Sequence, residues 1–190
     1  MAHMTTLDAF NFSTPKVSAT ALTLEELGLE RDSPWVSALS SADGLLVVGG
    51  HGGSGRGTTI ASSLKHLEQE FARLPSDIAA GKKAVVVAEL HTEADLTSAL
   101  AAAKAGHLVL GTIGCSGPLH SAMQKLQSLG LSKTDQRTVV RAVLAQSLHP
   151  KTNFSDDFLK IMKGLATEVN GRVLITDCFT PGSSLEFVAA

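Results

Sequence analysis

The chain has 190 residues, 44% of them hydrophobic, a formal net charge of -2 and two cysteines. That is one domain's length with enough apolar residues for a sizeable core. The near-balanced charge excludes a global field for nucleic acid or an anionic membrane, no apolar run reaches membrane-spanning length, and the sequence reads as lacking a signal peptide. Cys115 and Cys178 are too few for a disulfide framework and read as cytosolic thiols. Met1-Ala-His-Met4 resembles the remnant of a cloning tag, residues 5–20 lack periodicity and are expected to form an extended arm, and 21–190 are expected to be a single domain. Thr23-Leu-Glu-Glu26 is a capping box for a short helix ending near Gly28, and Ser33-Pro34 starts a second. Leu45–Val48 is a buried-strand signal that runs into a glycine-rich turn. A helix from about Gly57 to Leu74 follows, with Ile60, Leu64, Leu67, Phe71 and Leu74 at spacings of four and three. Pro75–Lys83 is a polar connection, and Ala84–Leu90 is a continuous apolar run typical of a strand buried on both faces. Thr92 caps the next helix, Asp95 completes its box, and Gly106 lies just past its end. Leu108–Ile113 is a third buried strand, and further helices are predicted over 118–129, 134–148 and 155–169. In the last of these Phe154, Phe158, Met162, Leu165 and Val169 share a face and are expected to pack in the core. Arg172–Asp177 reads as a final strand and Thr180-Pro-Gly-Ser as a turn. Strands alternating with helices predict right-handed βαβ units and a mainly parallel sheet.

The turn after the first strand carries the strongest functional signal. Strand, glycine loop and helix N-terminus make an anion site, because free backbone N–H groups and the helix dipole point at the same volume. The phosphate-binding P-loop pattern is G-x-x-x-x-G-K-[ST]; here Gly50-His-Gly-Gly-Ser-Gly55 is followed by Arg56 and Gly57. Arg56 keeps the charge of the missing lysine on a bulkier planar fork, while Gly57 supplies no oxygen for magnesium. A shifted register, Gly52 to Gly57 and then Thr58-Thr59, restores a hydroxyl but puts a threonine where the lysine belongs. Neither register keeps both parts. The candidate nucleotide-binding residues are Gly50, Gly53, Ser54, Gly55, Arg56, Gly57, Thr58 and Thr59, with Thr58 or Thr59 the candidate magnesium ligand.

Thr23-Leu-Glu-Glu-Leu-Gly-Leu, Gly44-Leu-Leu-Val-Val-Gly-Gly and Gly53-Ser-Gly-Arg-Gly-Thr-Thr together resemble the core of the type II and type IV secretion ATPases, in particular the retraction motors of type IV pili. Val85–Glu89 is similar to that family's Walker B strand and glutamate, Ala101–Thr112 to the approach to its histidine box, and Arg141–Leu148 with Gly171-Arg-Val173 to its C-terminal region. The resemblance runs in order over roughly 15–180. It implies a RecA-like P-loop NTPase fold of three layers, a hexameric ring, ATP with magnesium, and work at the cytoplasmic face of the inner membrane. The departures fall on the chemistry. The family's lysine falls at Arg56, its magnesium serine at Gly57, the arginine after its glutamate at His91, and its box histidine at Gly114 or Cys115. The span from loop to Glu89 is far shorter than in the family, its acidic "Asp box" has no counterpart, and its N-terminal domain is not represented in these residues.

Glu89 is the candidate general base. It ends a buried strand where open α/β sheets bind ligands, and a carboxylate there can orient or deprotonate water. It reads equally as a solvated glutamate paired with Lys83 or His91. His51, within the loop, reads either as a ligand contact or as a solvent-facing side chain, and His91 and His107 as surface and structural residues. No histidine–cysteine spacing suggests zinc, no glycine-flanked serine makes a nucleophile elbow, and aromatics at 4% argue against a base-stacking platform. The leading expectation is a degenerate secretion or pilus ATPase-like domain. It would be a pseudo-ATPase or weak binder of ATP and magnesium within a secretion or pilus machine, beside an active paralogous ATPase or as a homo-oligomer. It would be cytoplasmic, and held at the inner membrane only through partners. The alternatives are a slow Mg-ATP hydrolysing motor subunit using Arg56, Thr58 or Thr59, and Glu89, or a structural adaptor that binds no nucleotide.

Overall fold

The computed structural model describes residues 21–71, 85–155, 158, 162 and 165–182. The expected arm at 1–20, the connection at 75–83 and the helix end at Leu74 lie outside them. Thr23 and Glu26 form the capping box read from the sequence: Thr23 N–H donates to the Glu26 carboxylate at 2.6 Å, and Glu26 N–H to Thr23 Oγ1 at 3.2 Å. The turn it starts is a 3-10 turn, Glu25–Leu27, closed by Gly28 at φ 75°. The helix α1 (Pro34–Leu39) begins with proline at its first position and Ser33 as cap.

Four parallel strands follow: β1 (Gly44–Gly50), β2 (Val85–Leu90), β3 (Leu108–Gly114) and β4 (Val140–Pro150). Helix α2 (Arg56–Phe71) joins the loop after β1, and α3 (Glu93–Lys104), α4 (Leu119–Ser128) and α5 (Lys133–Thr138) supply the later crossovers. The Thr92–Asp95 box starts α3 as predicted. Hydrogen bonds from Thr92 and from the His91 amide hold the Asp95 carboxyl below its usual range. Two antiparallel strands, β5 (Ala166–Val169) and β6 (Arg172–Phe179), complete a six-stranded sheet in the order β2-β3-β1-β4-β6-β5.

Both faces of this sheet are covered. Successive strand residues point to opposite sides, so Leu45 and Val47 pack with α3 and α4 while Leu46 and Val48 pack with α1 and α2. This is the expected three-layer α/β architecture with a mainly parallel sheet.

Two predicted helices are corrected. The segment 134–148 splits into the short α5 and an eleven-residue strand, β4. Val140, Ala142, Val143, Leu144 and Ala145 are all buried, on both faces between β1 and β6, and such a run has no period that separates helix from strand. In the segment 155–169, residues 166–169 are strand β5, paired with β6; the intervening positions other than Ser155, Phe158, Met162 and Leu165 lie outside the described residues. The stripe does not sit wholly in the core. Phe154 stacks on Phe158 at 5.1 Å between ring centres, and Leu165 is 47% exposed.

Candidate functional site

The glycine loop sits at the carboxyl end of β1, all seven of whose residues are buried. The chain turns there because its glycines permit it: Gly53 and Gly55 adopt φ of 78° and 87°. Ser54 N–H donates to His51 O at 3.2 Å, and α2 begins at Arg56. Gly50 is required for closeness. A side chain there would meet Ser54 Oγ at 2.4 Å and the Gln146 carbonyl at 2.5 Å. Gly52, Gly53 and Gly57 face open space, with no atom within 4 Å of an added Cβ. The result is an exposed glycine turn at a helix N-terminus, with one buried hydroxyl, Ser54 Oγ, that has no hydrogen-bond partner.

Charge reaches the loop from Arg56, half-buried, whose Nη1 lies 3.7 Å from where a Gly114 side chain would begin. The absence of a side chain at Gly114, the last residue of β3, leaves the guanidinium room. Cys115 follows it and ties β3 to the loop strand, its N–H donating to Gly50 O at 3.2 Å. Burial pushes the Cys115 thiol up, against the opposing pull of Arg56.

The hydroxyls divide sharply. Thr59 is 1% exposed and donates to Gln146 Oε1 at 2.7 Å. Its oxygen is buried in the scaffold and not turned to the loop's mouth. Thr58 is exposed, but one residue along a helix is about 100° of rotation, so it cannot occupy the direction of position 57. An anion would meet the glycine turn at the N-terminus of α2. Magnesium does not fit the loop in the usual way, because position 57 offers no oxygen and the Ser54 and Thr59 hydroxyls are both buried.

Glu89 closes β2, and β3 intervenes between β2 and β1, so it stands about 10 Å across the sheet from the loop strand. Its side chain is 74% exposed and meets His91 Nε2 at 2.9 Å. It is thus a solvent-facing carboxylate beside a histidine. His51 is exposed too, its Nδ1–H turned back on Gly52 O at 2.7 Å. His107 is half-buried before β3 with Nδ1 unpartnered. Among the described residues no three metal-ligating side chains converge, and no helix is long and apolar enough to cross a membrane.

Gln146 is the residue that sequence reasoning missed. It is 2% exposed on β4, directly beneath the loop, and its Nε2 donates to Ser54 O at 2.6 Å. The available signal was a lone amide in an otherwise apolar run.

No protein-family model matches the sequence, and no curated protein matches it. Solved structures do. The ATPase DotB of Legionella pneumophila superposes with a TM-score of 0.59 at 17% identity, covering 86% of this chain and 52% of that one. The pilus retraction motor PilT, solved with bound ADP, gives 0.61 at 18% identity, covering 89% and 56%. DotB of Yersinia pseudotuberculosis gives 0.58 at 17%, covering 85% and 49%. The chain has the fold of these secretion and pilus ATPases, as the sequence resemblance implies, and spans about half the length of each.

Proposed function

We propose that this chain is a secretion or pilus ATPase-like domain that binds a nucleoside polyphosphate weakly and without magnesium, and does not turn it over at a motor's rate. The observation that carries this reading is the split within one loop. The loop keeps its glycine turn and is anchored by Gln146, while position 57 lacks a hydroxyl and that of Thr59 is buried against Gln146. Arg56 would meet the phosphates through its planar, multiply donating fork, which neutralises charge without a metal. Gly53 and Gly55 would present N–H groups. Losing preorganised charge stabilisation typically costs about 10²–10³ in rate per element. Glu89, paired with His91 and a strand removed, stands poorly to activate water at this loop. Such a domain senses nucleotide inside an assembly, beside an active ATPase or as copies of itself.

Calorimetric titration with ATP, once with magnesium and once with EDTA, tests it. Binding in both, with affinities within about threefold, is expected. Tight binding that needs magnesium, with turnover on the order of 1 s⁻¹, would make the chain an enzyme. No heat in either would make it an adaptor. A double variant, Arg56→Lys with Gly57→Ser, sharpens the result. Position 57 has space for a hydroxyl, and the variant is expected to acquire a preference for magnesium of about tenfold, the scale of one added charge-assisted contact.

A further inference from the structure

We propose that Gln146 is the positioning residue of the phosphate loop, a buried clamp that holds the loop in its anion-accepting shape. The inference rests on the loop being the binding site.

Gln146 meets the loop and the two elements that flank it at three places. Its Nε2 donates to Ser54 O at 2.6 Å, and its Oε1 accepts from Thr59 Oγ1 at 2.7 Å. Its own carbonyl lies 2.5 Å from where a Gly50 side chain would start, so the strand itself abuts the loop's first residue. The amide orientation is forced. A carbonyl such as Ser54 O only accepts, so the NH2 end must face it, and the oxygen must then face Thr59. With that assignment Thr59 is the donor, and its proton is fixed inward. A glutamine with both ends satisfied is well suited to this place, since a buried amide left unpaired is costly.

The clamp is anchored behind. Ser63 Oγ donates to Thr59 O at 2.8 Å and accepts from Trp35 Nε1 at 3.0 Å, and Trp35 is fully buried. A continuous buried chain therefore runs from the loop carbonyl through Gln146, Thr59 and Ser63 to α1. It also turns the Thr59 hydroxyl inward, so serving a metal at the loop's mouth would require the side chain to leave its buried place.

The test uses Gln146→Glu and Thr59→Val in the whole chain, reading hydrogen exchange of the 52–56 amides and calorimetric affinity for ATP. At pH 8 the introduced carboxylate cannot donate to Ser54 O. Loop exchange is expected to rise, and ATP affinity to fall, about tenfold against wild type. At pH 5.5 burial favours the protonated acid, which donates to Ser54 O and accepts from Thr59. Both readings should return to within about threefold of wild type. His51, Arg56, Glu89, His91, Cys115 and, on β6, Asp177 surround this edge of the sheet in both proteins, so the ratio at each pH isolates position 146. Wild-type behaviour at pH 8, or a loss that does not recover at pH 5.5, would overturn the clamp. Emission from Trp35, the single tryptophan, reports whether the core is intact. If Gln146→Glu does not fold, Thr59→Val decides: faster loop exchange supports the clamp, unchanged exchange overturns it. If wild type binds no ATP, the proposed function fails while the exchange measurement still decides the clamp.

Discussion

Two parallel strands end at the same edge of this sheet, and they end differently. β1 is buried throughout and runs into a loop held by Gln146 and by Cys115 N–H. At the end of β2 stand Glu89 and, just beyond the strand, His91, whose side chains are 74% and 66% exposed and meet each other. An exposed ion pair contributes about 0–1 kcal/mol, so the fold hardly depends on it. The loop is different, because its shape is part of the core. In the proposed function, anion binding rests on backbone and buried contacts, and reaction chemistry would rest on exposed side chains. The first is costly to lose and the second is not, so the fold constrains the loop more tightly than it constrains the exposed strand end.

The largest expected effect comes from breaking the buried side. In Gly50→Ala the new methyl meets Ser54 Oγ and the Gln146 carbonyl, and the latter is backbone and cannot swing away. Overpacking of this kind costs about 1–3 kcal/mol, and ATP binding should be lost with the loop's shape. Gly52→Ala, facing open space, is the control and should stay within about 0.5 kcal/mol. Urea midpoints for the two variants give the answer. Equal stabilities would mean that the loop is not set by the core, and the contrast between the two strand ends would collapse.

Next comes charge. Arg56→Ala should weaken ATP binding by about tenfold to a hundredfold, the range for a hydrogen bond to an ionised group, with little change in stability because the guanidinium is only half-buried. Affinity unchanged in titration calorimetry would show that the cradle holds anions through its backbone alone.

How much of this was legible in sequence depends on which force sets each element. The capping boxes at Thr23 and Thr92 were readable because a cap is local: two side chains and two amides within four residues. β1, β2 and β3 were readable as short apolar runs bounded by turn signals. β4 was not, since a strand buried between β1 and β6 carries no polar alternation, and its partners are distant in sequence. The loop's glycines marked a turn at a helix N-terminus, but the fate of Thr59 depended on Gln146, 87 residues away. Loop pattern alone left Thr58 and Thr59 equivalent, and the helix separates them into an exposed and a buried side chain.

The smallest effect is expected at the exposed end, where a null result is informative. Glu89→Gln keeps shape and hydrogen-bonding capacity while removing the charge, converting the His91 pair into a neutral contact. β3 separates β2 from the loop strand, so the substitution has no route to the cradle except through solvent, where the field of an exposed charge is screened within about 8 Å at physiological salt. Stability should shift by less than about 0.5 kcal/mol, and ATP affinity by less than about twofold, the scale of a screened surface charge. Phosphate release from ATP, followed over hours, should be the same in variant and wild type. If wild type shows slow turnover that Gln abolishes with affinity retained, Glu89 acts on water after all. The exposed end would then belong to the site, and its exposure would reflect a surface that a neighbouring subunit closes.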